Sequence, residues 1–378
     1  MLRVLVLLMA LATASQAQEM VIAPHYDGAG TFHAGMAPVK VGELWGFVDR
    51  TGKMIVAPQY ANVRPGQDGV HLVQDEFQSW RALGPNVEDA NWVSYRDMMS
   101  YKNGWASVWQ RSGSEEKWFL IDLEGDRTSS TGFDQMIDWD PPFALVREAG
   151  SLYVIHVGEF GYVNAVEVPE FSAFRNATGL SGLTGRHFIA TSPQGHALLE
   201  IRFDDYRPEP MIAGSIWDQS TRQEARFSRL SPPSEGYVAL QRQDGAWGFY
   251  HLATANFVWM GRFEQLRSFS EGYAAVKSNG KWGYINRRGE VVVQPVYDRA
   301  YDFHDGFAVI RQGELRGFMS IDPDRGITEF IAPQYQDVFR FREGLAPAKA
   351  DGKWGFVSNG QAPAPELIQS GVQKLVPN

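Results

Sequence analysis

Two carboxylates flank an indole at Asp138-Trp139-Asp140. Such a pair suits acid and base work on a glycosidic bond, one carboxyl protonating the leaving oxygen and the other activating water or attacking carbon. The substrate class would be an envelope polysaccharide. A structural reading competes, because Trp139 also fills an aromatic slot that recurs along the chain. Other chemistry is sparse. The eight histidines stand singly, and no His-x-x-x-His or Glu-x-x-His pair offers metal ligands. Asp322-Pro323-Asp324 lacks the spacing of a calcium loop. Cysteine is absent, so there is no thiol nucleophile, thiolate metal site or disulfide. Glycine signatures for phosphates or dinucleotides are missing too. The sequence predicts no metal, no cofactor and no catalysis beyond the low-weight pair Asp138 and Asp140.

Binding has the better claim. Trp80, Trp92, Trp105, Trp109, Trp217 and Trp259 lie outside or beside the recurring slots. Exposed on a concave face, they would stack on sugar rings or anchor peptides. Packed between irregular units, they would only fill space.

The elements that would carry these residues are repeats. Residues 272–303 set the pattern: Gly272-x-Ala274-x-Val276, then Asn279-Gly280, then Trp282-Gly283-Tyr284, then Arg288-Gly289, then Val291-Val292-Val293 and Pro295-x-Tyr297. Nine aromatic anchors match Tyr297, namely Tyr26, Tyr60, Tyr95, Phe133, Phe171, Phe227, Phe263, Tyr297 and Tyr335. Their steps are 34, 35, 38, 38, 56, 36, 34 and 38. A step near 36 over most of a chain is the mark of a tandem array. Trp45-Gly46, Trp247-Gly248 and Trp354-Gly355 repeat the central motif. The array covers residues 21–358. It is regular at 21–60 and 227–358 and degenerate at 69–226, and residues 359–378 form a proline-containing tail. Departures from local consistency are where function tends to sit, so the degenerate stretch is where a site is expected.

Each unit reads as a three-stranded antiparallel meander. Alternation at Gly272, Ala274 and Val276 is that of a half-buried strand. Asn279-Gly280, Asp244-Gly245 and Asp351-Gly352 suit tight turns with positive φ at both central residues. The glycine after tryptophan lets a second backbone come close. Proline in P-x-Y, lacking an N–H, should end the ladder. Asp27, Asp298 and Gln336, just after the anchors, are placed to accept from turn amides.

These elements, G-x-A-x-V, K-W-G-[FY]-I and V-x-x-P-x-Y, resemble the WG-repeat (KWG-repeat) family of β-repeats. The likeness is strong at 35–60, 236–335 and 344–357 and weak from 69 to 227. It implies a fold unit and an interaction module, often exported or surface-associated. It brings no catalytic residues.

The fold class is therefore all-β, a tandem array of about nine units. Two closures fit. Nine exceeds the usual blade number and three strands falls one short of a typical blade, which favours a curved, open β-solenoid. In the alternative, a propeller-like ring, Ile22 to Tyr26 would complete the last unit against Trp354 to Val357. Met1-Leu2-Arg3, the apolar run to Ala12 and the small residues Ser15 and Ala17 read as a signal peptide over 1–17. The apolar run is too short to span a bilayer. A periplasmic or secreted protein without a lipid anchor is expected. Its formal net charge of −9 and lack of a basic run argue against nucleic acid. The expectation is a monomeric, non-enzymatic scaffold for a protein or an envelope glycan. A polysaccharide hydrolase and a purely structural envelope component are the alternatives.

Overall fold

A computed structural model describes residues 20–84, 94–99, 101–122, 125–127, 132–157, 163–167, 178–193, 195–204, 207–214, 217–218, 223–224 and 227–360. Among them there is no helix. Nine small antiparallel sheets of three or four strands follow one another along the chain, with a two-stranded ribbon, Trp217–Asp218 and Gln223–Glu224, between the fifth and sixth. We call the sheets blades and number them from the N-terminus.

The blade of residues 265–297 shows the plan. Its strands are Gln265–Leu266, Tyr273–Ser278, Lys281–Asn286 and Val291–Tyr297, paired in that order. The expected meander is present, but a fourth strand precedes it. That strand is two residues long and too short to show a period of two. Chain reversal into the next strand uses Glu271 and Gly272, with φ of 53° and 85°. Asn279 and Gly280, at 50° and 76°, make the predicted tight turn. Asp244-Gly245 does not: only Gly245 has a positive φ, and Arg242 N–H donates to Ala246 O across a longer turn.

Proline in P-x-Y does not end the ladder. Tyr284 pairs with Val293 and Trp282 with Tyr297, so Pro295 sits in a bulge of a strand that resumes at its anchor. A bulge leaves backbone groups unpaired, and a residue without an N–H suits it. The bulged backbone folds over Gly283, where a Cβ would lie 2.8 Å from Pro295 N. Gly46 and Gly317 stand in the same relation to Pro58 and Pro333. The glycine of the Trp-Gly motif is thus required by close approach, as its sequence suggested.

The anchor is where the chain changes blade. Tyr297 pairs with Trp282 in one blade, and Asp298 N–H donates to Arg311 O in the next. Core clusters accordingly lie between blades; one joins Trp282, Tyr284 and Tyr297 to Ala300, Phe303 and Ile310.

The ring is closed, which corrects the preference for an open solenoid. Ile22–Tyr26 pairs antiparallel with Lys353–Ser358, Ile22 facing Phe356 and Tyr26 facing Trp354. Tyr26, Phe32, Trp354 and Phe356 share one buried cluster across the seam, and Lys353 Nζ pairs with Asp27 Oδ1 at 2.5 Å. The strand count that spoke against a ring was one too low, for the reason given above.

Candidate interaction surface

The motif tryptophans are packing residues. Trp247, Trp282 and Trp354 are buried and Trp45 is half-buried. Arg267 lies over the Trp282 ring at 5.3 Å, and Phe339 stacks on Trp354 at 5.1 Å. Tyr26, Tyr60, Tyr297 and Tyr335 end the outer strands.

The expected binding tryptophans divide. Trp80 fills the motif slot of the second blade; it is 5% exposed, with the Arg64 guanidinium 3.9 Å from its ring. That burial leaves no free face, so Trp80 is a core residue and not a ligand platform. Trp105 and Trp109 are half-buried against the cluster around Trp118, and Trp109 Nε1 donates to Glu116 at 3.3 Å. Trp92 lies outside the described residues, and so does the side chain of Trp217, whose backbone is in the ribbon. Of the four described side chains Trp259 alone is well exposed, at 44%.

The carboxylate pair is occupied. Asp138 Oδ1 accepts from Trp139 N–H and Oδ2 from Leu183 N–H, both at 2.9 Å. Asp140 Oδ1 accepts from Asn103 Nδ2 at 2.7 Å and Oδ2 from Gly185 N–H at 2.5 Å. These bonds join the fourth blade to the third and fifth. Trp139 is buried, as its slot demands. Three of the four oxygens hold blades together and the fourth caps the neighbouring backbone amide.

Asp140 belongs to a wider series that the sequence did not reveal. In the turn ahead of the second strand of six blades, a side chain accepts from the turn glycine of the following blade. Asp68 takes Gly104 N–H at 2.7 Å, Glu235 takes Gly272 at 3.1 Å, Glu271 takes Gly306 at 2.9 Å, and Glu343 takes Gly35 at 3.1 Å across the closure. His33 Nε2 fills this role toward Gly69 N–H at 2.7 Å. The recurring Glu-Gly at 235–236, 271–272 and 343–344 was the available signal. A second series, at the opposite ends of the strands, was foreseen: Asp27 accepts from Gly42, Asp298 from Gly313 and Gln336 from Gly352. Among the described residues no cluster of three or more His, Asp or Glu side chains could hold a metal.

Exposed apolar side chains occur on several blades, Met54, Ile55 and Phe77 among them, and one group lies on the outer strands of the sixth and seventh blades. Phe257, Val258 and Trp259 are 39%, 41% and 44% exposed, on the strand Asn256–Gly261. Phe257 and Trp259 point to one side with rings parallel within 3° and 5.6 Å apart. Arg242 lies 5.1 Å from the Trp259 ring. Beside them, Gly289 of the seventh blade packs against Met260, and Val291 and Val292 follow, also exposed. An apolar rim running across two blades is the kind of surface that marks an interaction site. It lies in the regular part of the array, not in the degenerate stretch where a site was expected.

Fold and surface together define a nine-bladed, propeller-like ring of β-sheets, an architecture of interaction scaffolds. The WG containing repeat matches the chain five times, at residues 15–45, 45–74, 247–282, 282–315 and 328–354. The chain is a WG-repeat β-protein. No curated protein matches it. Among solved structures it is similar to the computationally designed protein Ika8, at 9% identity and TM-score 0.42 over 78% of this chain and 95% of that one. It is also similar to BamB from Moraxella catarrhalis, at 15% identity and TM-score 0.37 over 78% and 91%, and to Kluyveromyces lactis Hsv2, at 10% identity and TM-score 0.39 over 71% and 96%.

Proposed function

We propose that the protein is exported by the leader at residues 1–17 and acts beyond the inner membrane as a non-enzymatic scaffold that binds a protein partner. The observation that carries this reading is the uncharged, exposed rim of Phe257, Val258, Trp259, Val291 and Val292. The sixth and seventh blades already bury their own motif tryptophans, Trp247 and Trp282, so this apolar area is surplus to their packing. The parallel Phe257 and Trp259 rings also support the second reading, an envelope glycan stacked on aromatic faces. Envelope extracts passed over the immobilised protein test both. A discrete protein retained by the wild-type chain and lost with Phe257→Ser/Trp259→Ser is the expected result. Retention of a glycan alone would favour the second reading, and equal retention by the double variant would refute the rim as the site. Export is checked by fractionation and by a mature N-terminus at Gln18.

A further inference from the structure

Outer strands in a ring of separate sheets carry a hazard, because one side of each has unpaired backbone groups that can template another chain. Seven blades have a described outer strand. Pro24, Pro58, Pro295 and Pro333 sit in four of these strands, and Pro208 and Pro210 in a fifth. The sixth, Val163–Glu167, carries a charge and lies along the neighbouring outer strand Arg207–Gly214. Asn256–Gly261 alone has neither proline nor charge: it reads Asn-Phe-Val-Trp-Met-Gly. Its apolar side chains Phe257, Val258 and Trp259 are exposed on both faces. The device that protects the other edges is missing where the apolar rim is.

We propose that this edge takes up an extended segment of a partner protein by strand addition, as a fifth strand of the sixth blade. The inference rests on the scaffold reading above and names its mode. Strand addition supplies main-chain hydrogen bonds from the free edge, while alternate side chains of the guest meet the host's exposed residues. Here the guest's side chains would lie beside Phe257 and Trp259 on one face and Val258 on the other, the pairing in which aromatic and β-branched residues are favourable neighbours. The guest is thus a segment of alternating β-branched or aromatic residues without an acidic excess. A second copy of this chain fits less well. Two edges of six residues each fall far short of the roughly 1,600 Å² that a stable interface buries, and two chains of net charge −9 repel.

Fluorescence anisotropy with a labelled, lysine-flanked peptide of alternating threonine and valine or phenylalanine tests the mode. The expected result is saturable binding to the wild-type chain, weakened at least tenfold by Val258→Lys and by backbone N-methylation of the peptide. Val258 is on the surface, so an unchanged melting curve shows that Val258→Lys still folds. Equal binding of the N-methylated peptide would overturn strand addition while leaving the apolar rim as the binding surface. No binding of the parent peptide would overturn the inference, with the rim then judged by the serine double variant. A wild-type dimer that Val258→Lys dissociates would overturn it in favour of self-pairing.

Discussion

His71 should make this ring acid-labile in a window where its carboxylates do not. The residue occupies the slot filled by Ala37 and Ala274 in regular blades, and it is fully buried. Its Nε2 lies 3.2 Å from His33 O, its ring meets Phe47 at 5.0 Å, and its Nδ1 has no partner. Burial disfavours the charged ring and holds its pKa near 4, against 6.5 when exposed. Between those values the unfolded chain binds the proton and the folded chain does not. Stability is therefore complete above pH 6.5 and is lost as pH falls toward 4. The gap, at 1.36 kcal/mol per pH unit, is worth about 3 kcal/mol in all, and about 2 kcal/mol of it is gone by pH 5. Urea unfolding at pH 7.5 and pH 5 measures this. His156, His187 and His304 are shifted the same way by burial, so the test is the difference from His71→Phe, which keeps an aromatic ring beside Phe47. The wild type should lose about 2 kcal/mol more than the variant over that interval. Equal losses would show that His71 is not the buried neutral group that the geometry requires.

Four further outcomes follow from the same structure. Gly283→Ala should cost about 2 kcal/mol or more, because its Cβ would meet backbone at Pro295; Gly280→Ala, with open space but a φ of 76°, should cost only about 1 kcal/mol in the same thermal or urea assay. Tyr26→Ala, at the closure, should cost about 3–5 kcal/mol and expose the seam to proteolysis near Lys353. Asp140→Ala should destabilise the ring by about 1–3 kcal/mol by freeing Gly185 N–H and Asn103; polysaccharide hydrolysis by the wild type that this variant abolishes without unfolding would restore the enzymatic alternative. Val258→Lys should leave the melting temperature within the range of a neutral surface change, about ±0.5 kcal/mol, while removing any binding at the rim.

Much of the fold was legible because its signals are local and steric. Gly283 announces a close backbone, Asn279-Gly280 a tight turn, and Asp298 a turn amide to be satisfied; each was found in place. What failed had no local signal. A first strand of two residues, such as Arg299–Ala300, shows no alternation, so the blade was counted one strand short and the ring was disfavoured. Trp80 was placed outside or beside the recurring slots, yet, with Arg81 where the motif has glycine, its indole fills the core slot. Its partner across the sheet is the anchor Tyr95, 15 residues on, as Tyr297 is the partner of Trp282.

Of the exposed rim only Trp259 was singled out, and the rest was missed for the opposite reason, since its signal was an absence. The unit ending at Phe263 lacks the proline that precedes Tyr60, Tyr297 and Tyr335, while its Trp247-Gly248 motif is intact. A regular motif drew attention away from an irregular outer strand. The backbone still comes close at Gly248, with Val258 O 2.8 Å from a Cβ, but the Trp259 indole also lies over this glycine, its Cε3 at 2.7 Å. The glycine that admits a backbone in the other blades here admits an aromatic ring as well, and the strand that carries the ring keeps its edge unguarded. One packing device thus yields two outcomes. With P-x-Y it guards the edge of a blade, and without it the same slot holds an aromatic side chain at the surface. The sixth blade departs from the frame where departure leaves the core intact and changes only what the ring presents outward.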